Sequence, residues 1–575
     1  MLKYKFIQFA FLVVFLSTSC DSFFEVDDRE KITLETVSAS DADVSAMWAY
    51  LYYSFDNGFN EISNAMIANA CDEADLNQPF SAVQAYNEGS WNSKNTPGTL
   101  YFNLYQEIHN ACQFLSVTDT LNDIRFNYEE YYYVDKPRYN QLKWNMKAYR
   151  MDAEFFKAYC TFELWKRYGN IALVDNVLSK SEAASLQRSS TDDVIAYIIP
   201  KLDDVISQFD ELSQMTDVEY VNGKWSDQYL GRITKGAVLA LKCKVLLYAA
   251  SPLNTKSGTY DKELCAEAAQ AAAQIINMGL YSTNISYREM QFNTASSNPE
   301  NILDARVGIT ASNYMEQWNY PLGGSDLYVN SSVGSNATCP SQGLVDSYET
   351  VDGSDVNAAD PYSNRDPRLK MTVLCNNEIF NEGTVESYIG GLAGIGEKNC
   401  TTTGYYLKKF IQDKVKLPSG TTTSHLWYVF RYGEVLLNYA EAMFYAYGPT
   451  AMQGYVTNGS DLSAVDAVNL VRNRPGVGMP ALPTLSEAQL RNERRIELAF
   501  EGQRFWDVRR WKIAEQTENS PLMGMRITKI SDNNFSYSIE QIETRKFDNA
   551  MYHLPIPYTE MTNYPDWVQN DGWSN

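Results

Sequence analysis

The stretch ERRIELAFEGQRFWDVRRW, Glu493–Trp511, interleaves Glu, Arg and Asp with Ile, Leu, Phe, Val and Trp, and it carries no nucleophile motif and no glycine-rich loop. Glu493, Glu497 and Glu501 recur at every fourth residue, so a helix would set them on one face. Arg494, Arg504, Asp507 and Arg510 can pair at i, i+3 spacing, while Ile496, Phe500, Phe505, Val508 and Trp511 supply apolar contacts. Charged groups beside buried rings persist only when paired, because an isolated charge in a low-dielectric interior is strongly disfavoured. The stretch therefore reads as internal glue of a helical fold, with Arg504 as part of that glue, and not as a reaction centre.

The same helical periodicity recurs outward from it. Apolar residues fall at i, i+3, i+4 and i+7 over 39–55, 99–115, 147–169, 234–251, 262–279, 426–448 and 463–474. Small residues share faces (Ala153 and Ala158; Ala237, Ala240 and Ala249; Ala440 and Ala442), which lets helices approach closely, and Tyr168-Gly169 and Tyr447-Gly448 read as helix stops. Strand alternation is nearly absent. These features predict a mainly α fold of stacked, tetratricopeptide-like helix pairs with few short strands, in one domain over 41–575. The helical scaffold is expected at about 41–280 and 425–515. Stretches rich in Asn, Ser, Gly, Thr and Tyr at about 71–99, 281–424 and 520–566 are expected as irregular loops, and loops of that length usually carry function.

The amino terminus reads as an export signal. MLKYK is basic, FIQFAFLVVFL is apolar but short for a membrane span, and STS precedes Cys20. Residues 1–19 are expected to be removed, leaving Cys20 to carry lipid and 20–40 to act as an acidic tether, although Ser17 stands where the usual lipoprotein signal has Leu. Eight further cysteines contain no C-x-x-C; Cys112, Cys160 and Cys243 fall in helical apolar patterns, and Cys375 with Cys400 is the first pair to check for a disulfide. With 48 Lys and Arg against 71 Asp and Glu, the net charge of −23 disfavours nucleic acid, whose phosphates need a basic face.

Catalytic signatures are weak. The three histidines, His109, His425 and His553, form no H-E-x-x-H and no pair at helical spacing, and no G-x-S-x-G is present. A glycosidase needs only two carboxylates, a criterion without specificity among 71 acids. The acidic loop VDGSDVNAADPYSNRD (351–366) lacks the EF-hand order, so calcium is not predicted and no cofactor is expected. Aromatic rings in polar loops are the stronger lead. Tyr86 and Trp91, near Asp72, Glu73 and Asn92, and the group Tyr314, Trp318 and Tyr320 combine rings that can stack on sugar C–H faces with side chains that can bond hydroxyls.

Taken in order, these blocks resemble the SusD/RagB family of surface lipoproteins that bind nutrients for uptake. The resemblance is carried by SCDSFFEV, KAYRMDAEFFKAYCTFELWKRYGNIALV, GRITKGAVLALKCKVLLYAAS, CPSQGLVDSYETVDG with RDPRL, TGYYLKKF, FRYGEVLLNYAEA, the opening stretch, HLPIPYTEM and QNDGW, and it spans essentially the whole chain. GNIALV departs in having Ala172 where the family often has Pro. The resemblance implies a SusD-like fold, a binding protein that is not an enzyme, and a lipid anchor at Cys20 on the outer membrane facing the cell exterior. It also implies a glycan ligand and a SusC-like TonB-dependent transporter as partner, over which the protein would act as a lid. The family's RagB branch keeps a peptide ligand open as an alternative; a surface glycosidase is the weaker one.

Overall fold

The structure, a computed structural model, describes residues 41–574 except 56, 120–132, 216–217, 308–314, 322–333, 382, 414 and 416–422. The expected signal segment, the tether, Cys20 and Tyr314 lie outside the described residues.

Helices build one half of the molecule: α1 (Asp41–Tyr50), α2 (Tyr101–Asp119), α3 (Lys136–Tyr168), α4 (Thr191–Leu212), α5 (Lys235–Ala250), α6 (Lys262–Asn277), α7 (Tyr432–Tyr447), α8 (Ala464–Arg472), α9 (Glu487–Glu497) and α10 (Gln503–Arg510). From α2 to α8 each helix packs on the next in the chain, as stacked helix pairs require. Local chemistry sets the ends. Asp135 accepts the Arg138 amide at 3.1 Å to start α3, Pro137 sits in its first turn where an amide is dispensable, and Gly169 at φ 65° ends it. Ser190 with Asp193, Ser463 with Asp466 and Ser486 with Gln489 form capping boxes on α4, α8 and α9. α5 is buried on nearly every face, and its one buried cation, Lys244, is paired with Glu434 at 2.9 Å.

Between α6 and α7 the chain forms only short elements, among them β2 (Asn301–Val307) and β3 (Thr338–Pro340). β2 pairs antiparallel with β4 (His425–Arg431), and β3 with β1 (Ala74–Leu76). After α10 come β5 (Leu522–Ser531) and β6 (Asn534–Glu543), a hairpin with ten residues in each strand. Three expectations are corrected here. The first residues of the expected helix at 426–448 are strand β4, whose aromatic and β-branched side chains pair with β2. The expected loop at 520–566 opens with the hairpin. Cys375 and Cys400 are both free and buried, so the pair considered for a disulfide is not bonded.

The opening stretch is also not one helix. α9 stops at Glu497; Phe500 adopts φ 64° and Gly502 φ 71° before α10 begins, so Glu501 leaves the helical face it was expected to share. The break has a packing reason. Leu490, Leu498, Phe505, Trp506 and Val508 belong to the core of the helical array, whereas Ile496, Ala499 and Phe500 belong to a second core with Leu344, Tyr348, Tyr405, Phe410 and Ile527. A left-handed residue other than glycine is strained, and burial of the Phe500 ring in the second core holds it there.

The charges of the stretch fill the seam between the two cores. Glu497 receives Arg368 at 2.9 Å, Arg431 at 2.9 Å and Arg474; Arg368 also reaches Glu493 at 2.6 Å and Asp366 at 2.7 Å. Arg431 meets Glu501 at 2.7 Å, Lys409 meets Glu501 at 2.6 Å, Arg472 meets Glu493 at 2.9 Å, and Arg474 meets Glu300. Five cations thus face five carboxylates, all below one-tenth exposed. The last carbonyls of α9 are satisfied as well: Arg431 Nη2 and the Tyr287 hydroxyl donate to the Glu497 carbonyl at 2.9 and 2.8 Å, and Lys409 Nζ donates to the Ala499 carbonyl at 2.8 Å. Glycine at 433 lets the network run against backbone, since a Cβ there would lie 2.4 Å from Arg431 Nη1. A second buried set joins α7, α9 and α10, with Arg494 on Asp507 at 2.7 Å, and Arg510 on Asp507 at 2.9 Å and on Glu441.

Removing one member of such a network strands its partners without charge compensation. Arg431→Ala is expected to cost about 3–5 kcal/mol of stability, read as a lowered midpoint in urea unfolding; a midpoint equal to wild type would show that the seam does not hold the cores together.

Candidate functional site

β1 and β3 bring three polar segments together. After β1, Asn77 accepts the Ala337 amide at 2.9 Å and donates to the Gly334 carbonyl at 2.6 Å, and Gln78 donates to the Ser335 carbonyl. The Gly334 amide donates to the Gln317 carbonyl at 2.9 Å, and the Thr338 amide donates to the Asn319 side chain at 2.8 Å. Residues 77–81, 315–320 and 334–340 therefore form one hydrogen-bonded loop cluster. In it, the Ser81 amide returns to the Gln78 carbonyl at 3.1 Å, closing a turn with Pro79 and Phe80 at its centre. Proline presets the backbone for the first central position of such a turn. Phe80 is 99% exposed, the largest exposure among the large apolar side chains described. Trp318, half-buried, stands on the short helical turn between Gln317 and Asn319.

Asp75 on β1 is buried; one of its oxygens accepts from the Thr402 hydroxyl at 2.6 Å, and the other has no hydrogen bond but faces the Arg545 guanidinium at 3.9 Å. Burial pushes its carboxyl above the ordinary range. Tyr320 is buried and positional: its hydroxyl donates to the Val415 carbonyl at 3.2 Å and accepts from Asn381 at 2.7 Å.

The residues expected from sequence separate into three groups. Trp318 and Tyr320 lie in the loop cluster, the first half-buried and the second buried. Tyr86 and Trp91 lie in the core of the helical array. Trp91 is 3% exposed and packs on Tyr86 with ring centres 4.8 Å apart and on Trp573 at 4.6 Å, and the Tyr86 hydroxyl donates to the Pro97 carbonyl at 2.8 Å. Neither ring presents a face to solvent here, because the C-terminal Trp573 covers the segment that reads as an open loop. Asn92 is exposed, and its side chain accepts the Lys94 amide at 3.0 Å within its own turn.

Asp72 belongs to the ion-paired scaffold, and Glu73 is buried beside it. Arg504 grips Asp72 with two bonds of 2.8 Å and Arg495 lies at 3.0 Å; against the cost of burial, these guanidinium groups hold the Asp72 carboxyl well below the usual range. Ser341 then donates its hydroxyl to the Asp72 carbonyl at 2.7 Å and its amide to the Glu73 carbonyl at 2.8 Å. The pairing thus anchors the strand that presents Phe80. Glu73 is buried, neither of its carboxyl oxygens has a hydrogen-bond partner, and burial with the neighbouring Asp72 charge pushes it up to about 8. Phe80 itself went unread in the sequence; the one local signal was Gln-Pro-Phe-Ser between a strand and a helix.

No curated protein sequence matches. The SusD family profile matches residues 299–573. The chain has the SusD-like fold. A SusD-like protein from Bacteroides fragilis superposes over 95% of this chain and 99% of its own with a TM-score of 0.74 at 24% identity. A SusD-like carbohydrate-binding protein from the same species gives 0.70 at 22% identity over 93% of this chain and 100% of its own. A laminarin-binding SusD-like protein gives 0.61 at 20% identity over 93% and 100%. At such identities the likeness establishes the expected SusD-like fold. Among the described residues no helix is long and apolar enough to cross a membrane.

Two outcomes follow. Trp91→Ala in this SusD-like core is expected to lower stability by about 3–5 kcal/mol, as large aromatic truncations do, whereas Phe80→Ala leaves the melting temperature unchanged; the reverse order in thermal unfolding would contradict the placement of these rings. Because the Glu73 carboxyl lies above its ordinary 4.5 when folded, its contribution to stability is complete below about 4.5 and is lost as pH rises through about 8. The melting temperature of Glu73→Gln relative to wild type should therefore climb between pH 5 and pH 8, and a constant difference would exclude a buried neutral Glu73.

Proposed function

We propose that this SusD-like chain captures glycan at the cell surface and hands it to a SusC-like TonB-dependent transporter, acting as that transporter's lid. The observation that carries the reading is Phe80, a fully exposed ring on a turn held by Asn77 and Gln78. An exposed ring fixed on a rigid turn gives a sugar face a surface to stack on with little ordering cost, and nearby amides can meet hydroxyls. The solved relatives described as laminarin-binding and carbohydrate-binding support the glycan class. The lipid anchor at Cys20, the outer-membrane location and the transporter partner are part of the proposal and rest on the resemblance of the sequence to its family. In this reading the protein binds and releases its ligand unchanged.

The test is titration calorimetry of the protein against a panel of plant, microbial and host glycans and mixed peptides, with product analysis of every tight binder. Saturable binding of a glycan without new reducing ends is expected, and Phe80→Ala should weaken it about tenfold, about 1.4 kcal/mol, at unchanged melting temperature. Binding confined to peptides would replace glycan with peptide as the nutrient. Steady release of reducing ends would make the protein an enzyme, and unchanged glycan affinity in Phe80→Ala would remove the loop cluster as the site.

A further inference from the structure

A groove of about 1120 Å³ lies at the ends of the helix pairs. It is lined by the residues that close α3, open α4, close α5 and cap α6, together with the C-terminal stretches around 549–553 and 568–571. Ile195 and Leu264 supply apolar wall, and Asn254 and Asn549 supply side-chain amides. A volume of this order holds a ligand larger than one sugar ring. No residue of the Phe80 loop cluster lines it.

Two cations in its wall have no counter-charge. Arg188 donates from Nε to the Asn170 carbonyl at 2.8 Å, from Nη2 to the Tyr168 carbonyl at 3.4 Å and to the Asn570 side-chain oxygen, and from Nη1 to the Val568 carbonyl. All four acceptors are uncharged, so these bonds fix the guanidinium in place without cancelling its charge. Lys512 holds a left-handed backbone, φ 58°, which is strained for a residue other than glycine, and its Nζ has only the Tyr552 ring near it, 5.9 Å to the centroid. Neither cation forms an ion pair among the described residues. Between them lies His553. A Cβ at Gly169 would stand 3.4 Å from three of its ring atoms, so the ring face covers that glycine, and neither ring nitrogen has a hydrogen-bond partner among the described residues. Burial first, then the Arg188 charge, pushes its imidazole down to about 4, with Lys512 adding to the effect and Asp571 opposing it. At neutral pH the ring is therefore uncharged and has one N–H to donate. The other acids of the groove are in use: Asp192 pairs with Lys256 at 2.8 Å, and Asp261 caps α6 by accepting the Glu263 and Leu264 amides at 2.9 and 3.1 Å. Asp571, exposed, is left as the one acid facing the two free cations.

We propose that this groove binds a carboxylate-bearing ligand, with the carboxylate set among Arg188, Lys512 and His553. The guanidinium and ammonium groups supply the charge, the neutral imidazole donates its N–H, and Asn254 and Asn549 meet polar groups on the rest of the ligand. The chain's net charge of −23 repels anions at long range, but physiological salt screens that repulsion beyond about 8 Å, so the two local cations decide what enters. An acidic sugar and the carboxyl end of a short peptide carry the same group, and the test separates them. The groove stands or falls independently of glycan binding at Phe80.

The probes are digalacturonate and acetyl-dialanine acid, with galactobiose and acetyl-dialanine amide as their uncharged counterparts, titrated into the full protein at neutral pH and physiological salt. The readout is the ring-proton NMR resonance of His553, one of three histidines, assigned by its loss in His553→Gln. One acid should saturate, shift that resonance and raise the pH at which it titrates, while its uncharged counterpart does neither. Saturation by digalacturonate makes the ligand an acidic sugar, and saturation by the peptide acid makes it a peptide terminus. Lys512→Asn, which tolerates the left-handed backbone, should weaken binding about tenfold, the scale of one charge-assisted hydrogen bond, at unchanged melting temperature. Asp571→Asn should strengthen binding, and its sign decides the matter if Lys512→Asn does not fold. No saturation by either acid, equal binding of an uncharged counterpart, full affinity in a folded Lys512→Asn protein, or no gain in Asp571→Asn would overturn the proposal.

Discussion

Glu497 sits fully buried between the guanidinium groups of Arg368, Arg431 and Arg474, and the arrangement of the molecule follows from how that one carboxylate is satisfied. Its three partners come from separate segments of the chain: Arg368 follows a central loop, Arg431 ends β4, and Arg474 follows α8. Against its burial, these cations hold the Glu497 carboxyl well below the usual range, so Glu497 itself stays charged at neutral pH. Such a network is a poor source of net stability compared with an apolar core of the same volume, but it is intolerant of partial removal. Its effect is therefore to specify which surfaces meet. The helical array and the irregular half cannot separate without stranding charge on both sides.

From this seam the order reaches the loop cluster in two steps. α9 and α10 project Arg495 and Arg504 onto Asp72, and Ser341 ties Asp72 and Glu73 to the start of β3. β1 then leads straight into the turn that carries Phe80. A ring held by that chain of contacts can remain exposed without collapsing onto its own loop. That is the physical requirement for a stacking surface, and it explains why acidic residues near the site belong to its support.

Much of the helical half was legible in the sequence because amphipathic spacing reports a local property, and so did the capped and glycine-terminated ends. The charged stretch was legible in role but not in geometry. Pairing of Glu493, Glu497 and Glu501 was deducible from the cost of burying charge, yet their partners lie far away in the chain, and no spacing within Glu493–Trp511 could show that Phe500 would turn into a second core. Trp91 misled for a related reason: polar neighbours in sequence say nothing about Trp573, which closes over it from the far end of the chain. Phe80 was passed over because a single ring in a Pro turn has no period, and its exposure depends on where Gly334 and Ser335 arrive. The hairpin is the exception among the irregular stretches, since the alternation of Phe535, Tyr537 and Ile539 with serines is itself a strand period.

The central claim is that the buried charges weld two cores into one folding unit. Scanning calorimetry of the chain at neutral pH measures this most directly, by comparing the calorimetric with the van't Hoff enthalpy. One transition with the two enthalpies equal is the predicted result. Two separated transitions, or a calorimetric enthalpy well above the van't Hoff value, would mean that the helical array and the irregular half unfold independently, and that the network only fills the space between them.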